Sequence, residues 1–385
     1  MKLYNFDLLA YPHVPKEAPR TPVPSSFFDP IKGAANYAEH LEEMTYCEEL
    51  GFDGVVFNEH HYSAYGTMPS PNLIASALSQ RTKKIKIGVL GNILPLRNHP
   101  VRVAEEYAMI DCLSNGRLIA GFVRGIPPEY IWYGVNPAES RGRFQEAYEL
   151  IMRAWKEPVW SYEGKFFKLH DCAIWPRPMQ QPHPPIWIPS QGSRETIEWA
   201  SHPSRRYTYL QTFSPAAALA KYMAMYKEEA EKRGYSASPM QLGWSVPVYA
   251  ADTDERAYRE AKPHIENLVN KFLRMPAEML LPPGYLSLQS MKGVMSAKGT
   301  ITGATQTIDD LLKKGMFLCG SPETLRQQIE EYQKQIGFGY LLPMLQFATL
   351  PRDLTKNNLE IFARKIIPAL RPLGEALVQE TSKRN

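Results

Sequence analysis

Residues 51–92 read GFDGVVFNEHHYSAYGTMPSPNLIASALSQRTKKIKIGVLGN. Gly54–Phe57 is a short apolar run with β-branched residues, which predicts a strand. Ser70–Gln80 carries apolar residues at helical spacing, with Pro71 where a first turn tolerates it. Ile85–Leu90 is a strand again. A strand, a helix and a strand in that order imply parallel strands joined by a right-handed crossover.

The same rhythm extends in both directions. Further strands are predicted at Leu3–Leu9, Arg117–Phe122, Ile186–Ile188, Arg206–Leu210, Gln241–Ala250 and Tyr340–Gln346. Helices are predicted at Ala34–Leu50, Val101–Leu113, Gly142–Trp155, Ser193–Ser201, Pro215–Arg233, Asp254–Leu273, Pro322–Gln335 and Leu354–Leu370. Roughly eight β-then-α units predict an α/β fold, a closed (β/α)8 TIM barrel. An open doubly wound sheet is the structural alternative, but no G-x-G-x-x-G follows the first strand. All 385 residues are read as one domain, because barrels routinely exceed about 250 residues. Three segments break the rhythm: Tyr11–Gly33, Pro158–Pro184 with the hairpin-like WSYEGKFFKL, and Met275–Gly303. Long loops after barrel strands rim an active site, and the last of the three reads as a lid.

Bulk properties narrow the function. With 44 basic and 40 acidic residues the net charge is +4, and no basic block interleaves with aromatics. Nucleic-acid binding is therefore disfavoured. No apolar run is long enough for a membrane span, and the start MKLYNFDLLAYPHVP lacks a signal-peptide core. Cys47, Cys112, Cys172 and Cys319 are far apart and form no C-x-x-C pair. Neither a disulfide framework nor a metal site is expected, and a cytoplasmic location is.

Asn58-Glu59-His60-His61 directly follows the second strand, where barrel enzymes carry their chemistry. Two imidazoles beside a carboxylate can move protons near neutral pH. Strand alternation points His60 and His61 apart, so one alone would face a central ligand. A hydrogen-bonded pair closing the strand end would read the same way. Asp7 and Glu59, near the ends of strands one and two, leave open a hydrolase-type carboxylate pair. His99 precedes Pro100 and reads chiefly as the start of a helix. Ser190-Gln191-Gly192-Ser193 lies between a strand and a helix, where small residues let backbone N–H groups meet an anion. Ser193 also reads as a helix N-cap.

NEHHYSAYG, followed by PSPNLIASALSQRTKKIKIGVLGNILPLRNHPVRVAEEYAMIDCLSNGRLIAGFVRG, resembles the bacterial luciferase-like flavin monooxygenases. E-H-H, L-P-x-x-x-H-P-V-R, D-x-x-S-x-G-R and the R-G pair after strand four occur in the family's order. The likeness resumes at PPIWIPSQGSRETIEWAS and near the C-terminus. It implies His60 as the catalytic histidine, with His61 and Glu59 in support. It implies Arg124 on the FMN phosphate, with Gln191, Gly192 and Ser193 nearby, and Leu90-Gly91-Asn92 against the isoalloxazine ring. In the family that stretch can carry a non-prolyl cis peptide, and Asn92 would meet the flavin's polar edge. The implied activity uses reduced FMN and O2, through an adduct at flavin C4a, on a small organic substrate.

No second nucleotide fingerprint is present, so a separate flavin reductase is expected as partner. A homodimer or homotetramer is the family's expectation. Bioluminescent members carry a reactive cysteine before the R-G pair, where Val123 stands here. A deazaflavin-dependent dehydrogenase of the same fold and a non-catalytic flavin-binding protein stay open. Tyr62, Tyr65, Tyr130, Trp132 and Tyr285 are candidates to line an apolar pocket.

Overall fold

A computed structural model describes residues 1–18, 22–286 and 305–373. The first half of the chain runs β1 (Lys2–Asp7), α1 (Pro30–Glu49), β2 (Gly54–Phe57), α2 (Pro71–Arg81), β3 (Lys86–Ile93), α3 (Val101–Leu113), β4 (Leu118–Val123), α4 (Pro127–Tyr133) and α5 (Ser140–Lys156). A two-stranded antiparallel hairpin follows, β5 (Trp160–Glu163) with β6 (Lys168–Cys172), at the segment read as hairpin-like. The second half runs β7 (Ile186–Ser190), α6 (Arg194–Ala200), β8 (Thr208–Thr212), α7 (Ala216–Lys232), β9 (Leu242–Ala250), α8 (Asp254–Asn267) and α9 (Ala277–Leu280). It ends with α10 (Ile308–Lys313), β10 (Leu318–Gly320), α11 (Pro322–Ile336), β11 (Tyr340–Met344) and α12 (Arg352–Ile361).

Eight strands close the barrel. The parallel pairs run β1–β2, β2–β3, β3–β4, β4–β7, β7–β8, β8–β9, β9–β11 and β11–β1. β10 lies outside this ring, paired with the far end of β9. Tyr4, Trp187 and Tyr340 pack ring against ring inside, with centroids 4.7–5.7 Å apart. Small residues make room for them: a Cβ on Gly54 would sit 2.1 Å from the Tyr4 ring. The opposite face of each strand packs on the helices, as Leu3, Val55, Phe57, Ile87 and Val89 do. Filling both faces is what makes the strands near-continuous apolar runs in sequence.

Several boundaries differ from the sequence reading. α1 begins at Pro30, because the Asp29 side chain accepts from the backbone N–H groups of Ile31 and Lys32. The Tyr11–Gly33 loop is shorter accordingly. β3 runs on to Ile93. α4, α10 and β10 are too short to leave a periodic signature. The helix read as Asp254–Leu273 changes to π geometry at Leu268–Phe272, and the last helix does so at Phe362–Ile366. Most of the segment read as a lid, 287–303, lies outside the described residues. No described helix is long and apolar enough to cross a membrane.

Between β1 and α1 sits a buried polar cluster. Asp7 accepts the Leu9 N–H at 2.6 Å and pairs with His40 Nδ1 at 2.8 Å, with Glu43 beside them. Burial alone would lower the proton affinity of His40. The Asp7 carboxylate outweighs it and pushes the imidazole up to about 9. Burial pushes Glu43 up to about 7.

Candidate active site

The alternation of β2 persists past its last residue. Side chains 58 and 60 meet each other, and so do 59 and 61. Asn58 Nδ2 lies 2.8 Å from His60 Nε2, while Glu59 Oε1 lies 2.7 Å from His61 Nε2. His60 Nδ1 faces Tyr65 Oη at 2.8 Å and Glu129 Oε1 at 3.2 Å. Glu129 comes from α4, and its other oxygen accepts the Ile126 N–H at 2.8 Å. The Tyr65 hydroxyl is pushed well above its ordinary range, by burial first and by Glu129 second, so it stays protonated. A neutral phenol, an imidazole and a buried carboxylate thus converge at the C-terminal end of β2.

The other pair faces elsewhere. Glu59 Oε2 accepts from Arg97 at 2.6 Å and from the Ile93 N–H at 3.2 Å. His61 Nδ1 meets the Tyr133 hydroxyl at 2.9 Å. These bonds tie the ends of β2 and β3 to α4. Asp7 is spent on His40 and Glu59 on Arg97 and His61, so the hydrolase-type carboxylate pair is not formed. The physical reason is register: both residues point away from the barrel axis.

Arg124 follows β4, at the same end of the barrel as His60. Its guanidinium lies against the Tyr285 ring, 4.6 Å from the centroid, and its hydrogen bonds to Ser140 Oγ and the Tyr285 carbonyl are long, 3.3–3.4 Å. Among the described residues no carboxylate stands within ion-pair distance of it. Arg141, from α5, is a close neighbour. Burial and then the Arg124 charge lower the proton affinity of Arg141, and Glu195, 3.7 Å away, opposes them. The two guanidiniums are close enough to repel one another, and Arg124 has no carboxylate to neutralise it among the described residues.

In the loop after β7, Ser190 Oγ accepts from the N–H groups of Gly192 and Ser193. Gly192 takes the left-handed backbone, φ +100°, that the turn requires. Ser193 caps α6 through the Thr196 N–H and donates to Glu195. Gln191 is exposed. The Leu90–Gly91 peptide is cis. A Cβ on Gly91 would lie 2.3 Å from the Gly121 backbone, so β3 and β4 approach there as only glycine allows.

The profile of luciferase-like monooxygenases matches residues 18–337. The chain belongs to the luciferase-like monooxygenase family. Protein y4wF of Sinorhizobium fredii, whose function is uncharacterised, is 31% identical over 324 residues, covering 83% of this chain and 88% of that one. 4-Hydroxyprotoasukamycin monooxygenase of Streptomyces nodosus subsp. asukaensis is 26% identical, covering 85% of each. The oxygenating constituent of 3,6-diketocamphane monooxygenase from Pseudomonas putida, solved with FMN, shares the fold with a TM-score of 0.75 at 19% identity. That match covers 96% of this chain and 98% of that one.

Within this luciferase-like barrel, the structure brings His60 and Arg124 to one mouth and closes His61 on Glu59. Asn92 is turned away from the barrel axis, towards α2 and α3. Its amide donates to Asn72 and to the Tyr107 hydroxyl and accepts from Arg97. The expected contact between that side chain and a flavin has no free hydrogen-bonding group to make it. His99 is exposed and precedes α3, as a helix start. Tyr130 donates to the Arg124 carbonyl and Tyr285 to that of Gly125, so both brace the Arg124 loop. Tyr62, Tyr65 and Trp132 do line a narrow, mainly apolar cleft with Val14, Val23, Phe272 and Lys271, enclosing about 20 Å³. Sequence reading assigned no role to Asn58, Glu129, Arg97 or Arg141. For Glu129 a signal existed: it stands three residues after Ile126 at the start of a proline-opened helix, a capping position.

Proposed function

We propose that the protein is a monooxygenase that uses reduced FMN and O2 on a small, largely apolar organic substrate. The observation that carries this reading is the Arg124–Arg141 pair, without a carboxylate on Arg124, at the same barrel mouth as His60. The cofactor fits this chain on its own residues. Arg124 and Arg141 would hold the phosphate, with the Ser190–Ser193 turn beside them; its Gly192 and Ser193 N–H groups and the Ser193 hydroxyl are bonded within the protein and would have to exchange those partners to join the cradle. The close β3–β4 approach at Gly91 would give the ring system a flat floor. Bound flavin supplies the electrons and the site at which O2 is activated.

The remaining work belongs to the chain. His60 handles the proton: a proton taken at the ring leaves an imidazolium whose charge Glu129 offsets from behind. Tyr65 fixes the plane of that ring from a hydroxyl that does not ionise. The cleft of Tyr62, Trp132 and Phe272 takes the substrate and keeps water from the reacting atoms. A separate reductase supplies the reduced flavin, and the chain works as a homodimer or homotetramer.

The test supplies photoreduced FMN and 18O2 with no nicotinamide, together with a cyclic ketone, a long-chain aldehyde and an alkanesulfonate. Labelled product from any of the three supports the reading. Turnover only when NADPH is added directly, with no reductase, removes the two-component part. Tight binding of a deazaflavin in place of FMN transfers the site to the dehydrogenase branch.

A further inference from the structure

Asn58 is 9% exposed, and its Oδ1 is buried with no hydrogen-bond partner among the described residues. A buried amide oxygen without a donor costs roughly 1–3 kcal/mol. This one sits on the residue that touches His60, at the mouth where the proposed cofactor binds. The described residues leave its bonding incomplete, as they do that of Arg97 Nε behind Glu59, but Asn58 is the one of the two that touches His60.

Which end of the Asn58 amide faces the mouth depends on His60. An imidazole nitrogen with a lone pair takes the amide N–H; one that carries a proton takes the amide oxygen. The choice is made on the far side of the ring. Glu129 has no side-chain exposure. One of its oxygens is satisfied by the Ile126 N–H, and the described bond to the other comes from His60 Nδ1. A buried carboxylate oxygen demands a donor, and a charge-assisted N–H bond outweighs a neutral one. The proton therefore sits on Nδ1, and Tyr65 Oη can accept from the same N–H. Nε2 keeps its lone pair, the Asn58 amide donates to it, and Asn58 Oδ1 is left as a bare acceptor.

We propose that Glu129, acting through His60, sets Asn58 Oδ1 as the acceptor of the site, and that this acceptor favours the reduced flavin over the oxidised one. Oxidised isoalloxazine offers lone pairs at N1 and N5, which repel a carbonyl oxygen. Reduction puts a hydrogen on N5 and turns that edge into a donor. Asn58 is then a binding residue, and Glu129 a positioning residue that never touches the ligand. The inference rests on the flavin reading above and adds a redox preference to it.

The experiment is an anaerobic titration of the full chain with FMN, oxidised and photoreduced, for wild type, Asn58→Leu and Glu129→Gln. The ratio of the two dissociation constants is the readout. In Glu129→Gln the amide oxygen keeps the Ile126 bond, its NH2 faces Nδ1, the His60 proton moves to Nε2 and Asn58 turns over. Both variants are expected to cut the preference for reduced FMN by about tenfold. Nitrogen-15 NMR of the wild-type histidines gives a second check that needs no variant: His60 should carry its proton on Nδ1. A proton on Nε2, with Tyr65 donating to Nδ1, overturns the proposal. So does a ratio that neither variant changes while FMN still binds, and that outcome leaves the flavin reading standing. Failure of the wild type to bind FMN in either form overturns both.

Discussion

His60 lies 3.2 Å from Glu129 and keeps 14% of its side chain exposed; His61 lies 2.7 Å from Glu59 and keeps 4%. The two histidines are adjacent in sequence, and each has a buried glutamate. What differs is where the remaining bonds go. Around His61 the carboxylate and the imidazole close on the protein, Glu59 on Arg97 and the Ile93 N–H and the ring on Tyr133, and the unpartnered atom, Arg97 Nε, lies behind Glu59. Around His60 the chain of partners ends at Asn58 Oδ1, which has none. A closed network adds rigidity, whereas an open one leaves an atom for a ligand. One register step on β2 separates the His61 network from the side proposed to carry the chemistry.

The largest expected effect tests the open side. His60→Ala should lower product formed per reduced FMN by about a thousandfold, roughly 4 kcal/mol in the barrier, with little change in the denaturation midpoint. An unchanged product yield would remove His60 from the chemistry and erase the contrast. Glu59→Ala should do the reverse. It strands Arg97 and the His61 ring beside a buried gap, so urea denaturation should show a loss of about 3–4 kcal/mol. Flavin affinity in the protein that remains folded should stay near wild type. A variant as stable as wild type would mean that the Glu59 network holds nothing together.

The barrel was legible in sequence because each strand buries both faces and so reads as a compact apolar run. The eight predicted strands all fall on barrel strands, and the errors are in the ends. α1 starts early because Asp29 caps it, a bond that hydrophobic periodicity does not register. The site was legible to the extent that it follows a strand. Alternation correctly separated His60 from His61, and the R-G pair placed Arg124. Glu129, Arg97 and Arg141 are brought in by α4, by the turn after β3 and by α5. Their distance in sequence from position 60 or 124 carries no periodic signal. Asn92 misled for a related reason: its type fits a ligand contact, but the bulge between Val89 and Asn92 in the β3–β4 register turns it to Asn72 and Tyr107.

A third histidine–carboxylate pair sharpens the comparison through pH. His40 binds its proton more tightly in the folded chain than in the unfolded one, since its pKa rises to about 9. The folded state therefore holds the extra proton between about 6.5 and 9, and stability falls as pH rises through that window. Glu43, raised to about 7, acts in the same direction over a lower range, from about 4.5 to 7. Asp7, Glu39 and Glu43 are the charges that face His40. Urea denaturation should lose up to about 3 kcal/mol between pH 6.5 and 9, and His40→Gln should flatten that slope. A slope that His40→Gln leaves unchanged would assign it to other groups.

The smallest effect separates the anion site from the ring site. Arg124→Ala should weaken FMN binding by about thirtyfold, roughly 2 kcal/mol, because it removes a charged partner of the phosphate. Riboflavin has the same ring and no phosphate, so its affinity should hardly change. Arg124→Lys keeps the charge but loses the planar fork that stacks on Tyr285 and spans two oxygens, and should fall between the two. Raising the salt concentration should narrow the wild-type advantage of FMN over riboflavin less than for an exposed pair, since Arg124 is half-buried beneath Tyr285. If Arg124→Ala weakened both flavins equally, the arginine would be bracing the mouth through Ser140 and the Tyr285 carbonyl rather than gripping an anion. It would then belong with Glu59 and His61 on the closed side of the comparison.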